Sequence, residues 1–203
     1  MSHVLFEKRG GIAYVTLNRP EKRNAFSPEM IVRLVEVWAD VAADSSVRVV
    51  LLTGAGNQAF SAGGDLGTLI PLMMRTRAPQ GEWEERFAAD RKQLGVALLR
   101  NSTFYKPLVA AINGHALAIG LVNRVVPPAE VMSTAEDFAR RISLGAPVAL
   151  AKTKEAMVRS SGLSLSEAFA IEAQCTKENA TTEDAKAGPR AFMEKRPPVF
   201  TGR

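Results

Sequence analysis

The sequence predicts an α/β fold with a helical C-terminal region. Three observations carry the expectation. Short apolar runs alternate with helix-spaced patterns up to residue 126, glycine-rich turns close those runs, and helical periodicity is unbroken from Ala129 onward. At 203 residues the chain can bury a core without disulfide or metal support. Its 46% hydrophobic and 23% charged residues exclude a disordered or collagen-like chain.

The elements follow in order. Val4 to Asn18 alternates around Gly10-Gly11 and predicts a β-hairpin. RPEKRNAFSPEM is a loop leading into a helix from about Pro28 to Asp44, with Ser27 as N-cap and Pro28 at the first helical position. Val47 to Thr53 is an apolar run between Ser-Ser and Gly-Ala-Gly, as expected of a strand buried on both faces. GAGNQAFSAGGDLG is a glycine-rich loop. Ile70 to Asn101 is mostly helical in character with a flexible point at TRAPQGE, Pro107 is expected to close that helix, and LVAAINGHAL reads as a second buried strand and turn. Helices are expected over 129–143, 147–160, 164–179 and 182–194, followed by the proline-stiffened tail EKRPPVFTGR. The chain thus divides into an α/β part, 1–126, and a helical part, 127–203.

Lys plus Arg exceed Asp plus Glu by 26 to 21. Such an excess suits a nucleic acid, an anionic surface or a phosphorylated small molecule. No dense basic run interleaves with aromatics, so nucleic-acid binding is not expected. The run Leu108 to Val126 is broken by Asn113, His115, Asn123 and Arg124, and no membrane span or signal peptide is expected. A single cysteine, Cys175, excludes an internal disulfide and fits a reducing, cytoplasmic setting. Two distant histidines, His3 and His115, make a metal site unexpected.

FSAGGDL, residues 60–66, lies where open α/β folds place ligands, beyond the carboxyl end of a buried strand. A helix starting near Asp65 would leave backbone N–H groups free for an anion or a developing oxyanion. On local pattern alone the simpler reading is a tight turn with a capping aspartate.

Five segments in order, GGIAYVTLNRPEKRNAFSPEM, VRVVLLTGAGNQAFSAGGDL, KPLVAAINGHALA, IGLVNRVVPPAE and ATTEDAKAGPRAFMEKRPPVF, together resemble the crotonase, or enoyl-CoA hydratase/isomerase, superfamily. The resemblance implies a spiral core of β-β-α turns followed by helices. It implies an acyl-CoA thioester held between two backbone N–H groups, the first from Gly64, with coenzyme A as part of the substrate and no separate cofactor. Ala62, Asp65 and Leu66 match backbone positions beside the CoA adenine and pantetheine, and Arg23 and Ala25 match positions near its phosphates and adenine. Phe192 and Lys195 match positions that reach CoA, in relatives often from a neighbouring subunit. The implied assembly is a homotrimer or dimer of trimers, and the implied reaction is most simply hydration of a 2-enoyl-CoA. Isomerases, decarboxylases, dehalogenases and hydrolases share the scaffold.

The sequence also departs from the family pattern. GHALA runs directly into IGLVNRVV, which in the family comes several dozen residues later. The second oxyanion donor and both usual glutamates have no counterpart. Parallel neighbours need a crossover of about a dozen residues, and none is available between Ala118 and Ile119. Either a stretch of the protein is not represented at this junction, the preferred explanation, or a true deletion leaves an incomplete core. The 203 residues alone are expected to be inactive, and a true deletion would leave a non-catalytic acyl-CoA-binding or scaffold protein. His115 is expected to make a structural hydrogen bond, His3 to be inert, Glu82, Glu84 and Glu85 to form a solvated helix face, and Cys175 to pack.

Overall fold

A computed structural model describes residues 1–100, 103–113 and 123–203. The junction between Ala118 and Ile119, and His115, lie outside the described residues.

Strands β1 (Val4–Arg9) and β2 (Ile12–Leu17) form the expected hairpin, in antiparallel register from Val4↔Leu17 to Arg9↔Ile12. Gly10 and Gly11 both take positive φ, 57° and 77°, as a two-residue turn matched to strand twist requires. Helix α1 (Pro28–Ala43) starts where Ser27 Oγ accepts the Met30 N–H. It crosses over to β3 (Val49–Gly54), which pairs parallel to β2. Three short helices, α2 (Leu69–Met73), α3 (Glu82–Ala89) and α4 (Gln93–Ala97), precede β4 (Leu108–Ala111), parallel to β3. Among the described residues the sheet order is β1-β2-β3-β4.

The region expected to be mostly helix from Ile70 is thus three helices, and Pro107 does not close the last of them. Helix α4 ends ten residues before Pro107, and Leu99 just beyond it is left-handed at φ 54°. Asn123 to Pro127 carries no strand.

Alternation along the strands sorts residues onto two faces. Ala13, Val15, Leu17 and Val50 face α1 and join Met30, Ile31, Leu34, Trp38, Leu72 and Phe87. Ile12, Val49 and Leu51 join Ala111, and Ala135 and Ala139 of α5 (Val131–Ser143), on the other. Trp38 Nε1 donates to Ala97 O at 2.9 Å and its ring meets Phe104, tying α4 to α1.

Helices α6 (Pro147–Ser160), α7 (Leu165–Ala180) and α8 (Glu183–Met193) follow. Ser164 and Glu167 make a capping box at the start of α7. Lys152 of α6 pairs with Glu178 of α7, and Cys175 is buried as expected. The tail folds back: Thr201 and Gly202 N–H donate to the buried Asp184 carboxylate at 2.8 Å each, and Arg48 donates to Phe200 O at 2.8 Å. No helix among the described residues is long and apolar enough to cross a membrane.

Candidate active site

Two loops meet at the carboxyl ends of β2 and β3. The first, Asn18 to Ser27, turns through left-handed Arg23 (φ 49°) and Asn24 (φ 54°). Asn24 is fully buried: its Oδ1 accepts the Arg19 N–H at 2.9 Å, and its Nδ2 donates to Ala55 O and Ala59 O at 2.9 and 2.8 Å. One side chain therefore fixes its own turn and the start of the second loop, residues 54–68.

The far end of the second loop is held by backbone. Ala62 N–H donates to Arg23 O, Phe26 N–H to Gly63 O, and Asp65 N–H to Phe26 O, at 2.8–2.9 Å. Gly64 forms a parallel bridge with Phe26 in which the flanking residues supply both bonds. In such a bridge the N–H of Gly64 itself points away from Phe26. It meets no acceptor among the described residues. Gly63 is left-handed at φ 86°, a conformation that glycine adopts without strain.

Asp65 anchors the turn that precedes α2, the tight turn with a capping aspartate that the local pattern favoured, and no helix starts at it. Its Oδ1 accepts from Gly67 and Thr68 N–H at 2.8 and 2.9 Å, and its carbonyl accepts from Leu69 and Ile70. Its Oδ2 accepts from Arg19 Nη1 at 2.9 Å. Burial pushes the Asp65 carboxyl up, but Arg19 and the two N–H groups pull it further down, so it stays ionised. It is therefore not a general acid near neutral pH, and its two oxygens are taken up by Arg19 and the Gly67 and Thr68 N–H groups.

The structure thus brings Arg23, Ala25, Ala62, Gly64, Asp65 and Leu66 together. Ala25 is buried, Arg23 and Ala62 are exposed, and the Leu66 side chain is 81% exposed. A cleft of about 260 Å³ opens beside Arg23, lined by Glu21, Asn24, Asn57 and Gln58 among others, and neither Gly64 nor Leu66 is part of its lining. Phe192 lies in the last turn of α8 and Lys195 just beyond it. Phe192 is 85% exposed, and no hydrogen bond ties either side chain to the two loops.

Three residues of this region lay outside the expected site: Arg19, Asn24 and Asn113. Asn113, just beyond β4, donates to Gly54 O and Gly56 O at 2.8 and 2.6 Å. An arginine at the end of an apolar strand and an asparagine in a turn were the available signals.

The other candidates change or hold. Glu82 and Glu85 are exposed, but Glu84 is half-buried and not on a solvated face. It takes both Arg77 Nη atoms, at 2.6 and 2.7 Å, and the Gln80 N–H, and the Arg77 bond holds its carboxyl below the usual range. His3 Nδ1 lies 2.7 Å from Ser27 Oγ and 3.3 Å from Glu29. This Ser-His-Glu group is not a nucleophilic relay, because both partners meet the same ring nitrogen and Ser27 caps α1.

A mixed sheet whose β2, β3 and β4 run parallel, with a glycine-rich loop at the carboxyl end of β3, defines an α/β protein. The chain belongs to the enoyl-CoA hydratase/isomerase family, which it matches over residues 7–121 and 115–203. It is 28% identical over 267 aligned positions to a short-chain-enoyl-CoA hydratase of Clostridium acetobutylicum, covering 97% of this chain and 96% of the relative. It is 28% identical over 264 positions to an (E)-benzylidenesuccinyl-CoA hydratase of Thauera aromatica, covering 98% and 99%. A crystal structure of an enoyl-CoA hydratase from Bacillus anthracis shares the fold, with a TM-score of 0.81 at 23% identity, covering 99% and 100%. The fold is therefore of the expected crotonase type. Both alignments run over more positions than this chain's 203 residues. The two family segments overlap at 115–121, where Ala118 meets Ile119.

Proposed function

We propose that this chain holds an acyl-CoA thioester with its carbonyl oxygen on the Gly64 N–H, in the manner of an acyl-CoA enzyme, most simply an enoyl-CoA hydratase. The observation that carries this reading is the Gly64 N–H itself, unsatisfied and turned outward on a loop fixed at both ends. A backbone donor so fixed stabilises an enolate-like oxygen without reorganising. The relatives named as CoA hydratases support the same substrate class.

In this reading the backbone of Ala62, Asp65 and Leu66 borders the CoA adenine and pantetheine, with Ala25 beside the adenine. The exposed Arg23 guanidinium meets the phosphates. Phe192 and Lys195 reach CoA bound to a neighbouring subunit. Coenzyme A enters as part of the substrate, and the setting is the cytoplasm. The assembly is a homotrimer or a dimer of trimers.

Hydration needs one carboxylate to activate water and another to protonate the α-carbon. Asp65 is committed to Arg19, and Glu84 to Arg77. The excess aligned positions in the relatives fit a missing stretch that would hold the second donor and both glutamates. The junction favours a second reading for these 203 residues: an acyl-CoA-binding protein that does not turn substrate over. Loss of one oxyanion donor alone costs about a hundred- to a thousandfold in rate.

The test is to follow loss of the enoyl thioester absorbance of crotonyl-CoA and, by calorimetry, acyl-CoA binding. Binding without turnover by the 203-residue chain is the expected result. Robust turnover would show that other acids act, with the exposed Glu82 and Glu85 next in line, ahead of Glu84, which would first have to leave Arg77. Absence of binding would overturn the reading.

A further inference from the structure

We infer that Arg19 is a positioning and charge-balancing residue for the Gly64 donor. Its guanidinium neutralises the Asp65 carboxylate, one residue beyond Gly64, so that this carboxylate does not oppose negative charge developing on an oxygen held by the Gly64 N–H. The inference rests on the proposed role of Gly64.

Arg19 is only 8% exposed, and burying a guanidinium is costly without partners. It has two close ones: Nη1 donates to Ala25 O and to Asp65 Oδ2, at 2.9 Å each. Its buried Nε has no hydrogen-bond partner among the described residues, and the Glu21 carboxylate is 4.0 Å away. Holding the two loops together does not by itself require this arrangement. Asn24 and the Phe26 backbone already join them with neutral hydrogen bonds. Nor does the turn at Asp65 require a charge, since an asparagine oxygen would accept the Gly67 and Thr68 N–H groups equally well.

The charge therefore needs another account, and its location supplies one. Asp65 follows Gly64 directly, and Asp65 N–H forms half of the bridge that turns Gly64 outward. Arg19 closes the remaining freedom of that residue by fixing its carboxylate. It cancels the one negative charge on the bridge. An unpaired carboxylate there would disfavour a second anion nearby.

Acetoacetyl-CoA tests this directly. Its enolate absorbs in the near ultraviolet and carries the charge in question, whereas butyryl-CoA has the same CoA moiety and no acidic C–H of comparable strength. Wild type, R19Q, D65N and R19Q/D65N would be titrated with both. R19Q is expected to lower the enolate share of bound acetoacetyl-CoA about tenfold or more while changing butyryl-CoA affinity much less. D65N is expected to keep or raise the enolate share, and the double variant to return within a few-fold of wild type.

A purely structural clamp gives a different pattern: R19Q and D65N lose both ligands alike, and the double variant recovers nothing. That result would overturn the inference. Where R19Q fails to fold, D65N against wild type decides, since a lower enolate share in D65N contradicts the charge argument and an equal or higher share supports it. If wild type binds neither ligand, the reading of Gly64 itself fails, and this inference with it.

Discussion

Gly54 and Asn113 exchange a reciprocal pair of hydrogen bonds. Asn113 Nδ2 donates to Gly54 O at 2.8 Å, and Gly54 N–H donates to Asn113 Oδ1 at 3.2 Å. A side chain beyond β4 thus acts as one more backbone rung where β3 gives way to the glycine-rich loop. Gly54 is enclosed from the other side as well: a β-carbon there would lie 2.5 Å from Phe60 O and 2.7 Å from Asn24 Nδ2.

Gly54→Ala is therefore expected to destabilise the fold by about 1–3 kcal/mol, the usual range for forcing atoms into a filled space. Urea denaturation measures it. An unchanged midpoint would show that the loop shifts freely, contrary to its anchoring at both ends.

Asn24→Asp keeps the acceptor for Arg19 N–H but turns an oxygen toward the carbonyls of Ala55 and Ala59. At a fully buried position this is expected to cost about 2–4 kcal/mol, from two lost bonds and the carbonyl oxygens left without a donor. Asn24→Gly, which suits the left-handed φ, is expected to cost less than Asn24→Asp. The reverse order in urea midpoints would contradict this account of the turn.

Much of the scaffold was legible in the sequence because its signals are local. Gly10-Gly11 permits only a tight turn between alternating runs, and Ser27-Pro28 starts a helix by capping and a fixed φ. The region after Asp65 was not legible because its breaks carry no such mark. Arg75 and Leu99 take left-handed φ without being glycine, and Arg77 meets Glu84 across a loop. The glycine-rich loop was placed by its glycines. Arg19, Asn24 and Asn113, which hold it, act through partners up to 59 residues away, a relationship that periodicity does not reveal.

Acid should weaken the loop in a defined direction. Burial raises the Asp65 carboxyl, but Arg19 and the Gly67 and Thr68 N–H groups lower it more. The unfolded chain then takes up the proton first, near an ordinary value of about 4. The stability that Asp65 contributes is complete above that value and is lost as pH falls through the lower folded one. Wild type and D65N are expected to differ by a constant amount above about pH 5 and to converge on acidification. An equal gap at pH 3 and pH 7 would contradict the argument.

The C-terminal helices carry the prediction about assembly. No residue of α6 is fully buried and only Cys175 of α7 is, while Met157, Leu165, Phe169, Phe192 and Met193 are all more than half exposed. A homo-oligomer with three-fold symmetry would cover such surface. Light scattering is expected to give a trimer or hexamer, and a stable monomer at micromolar concentration would refute it.

The central claim is that the Gly64 loop receives the acyl-CoA thioester, and calorimetric titration of Gly64→Val against wild type tests it most directly. A β-carbon at Gly64 would lie 2.9 Å from Ile70 Cδ1, the end of a half-buried side chain, while the methyls would crowd the outward N–H. The account predicts loss of acyl-CoA binding in a variant that still folds. Unchanged acyl-CoA affinity would contradict it.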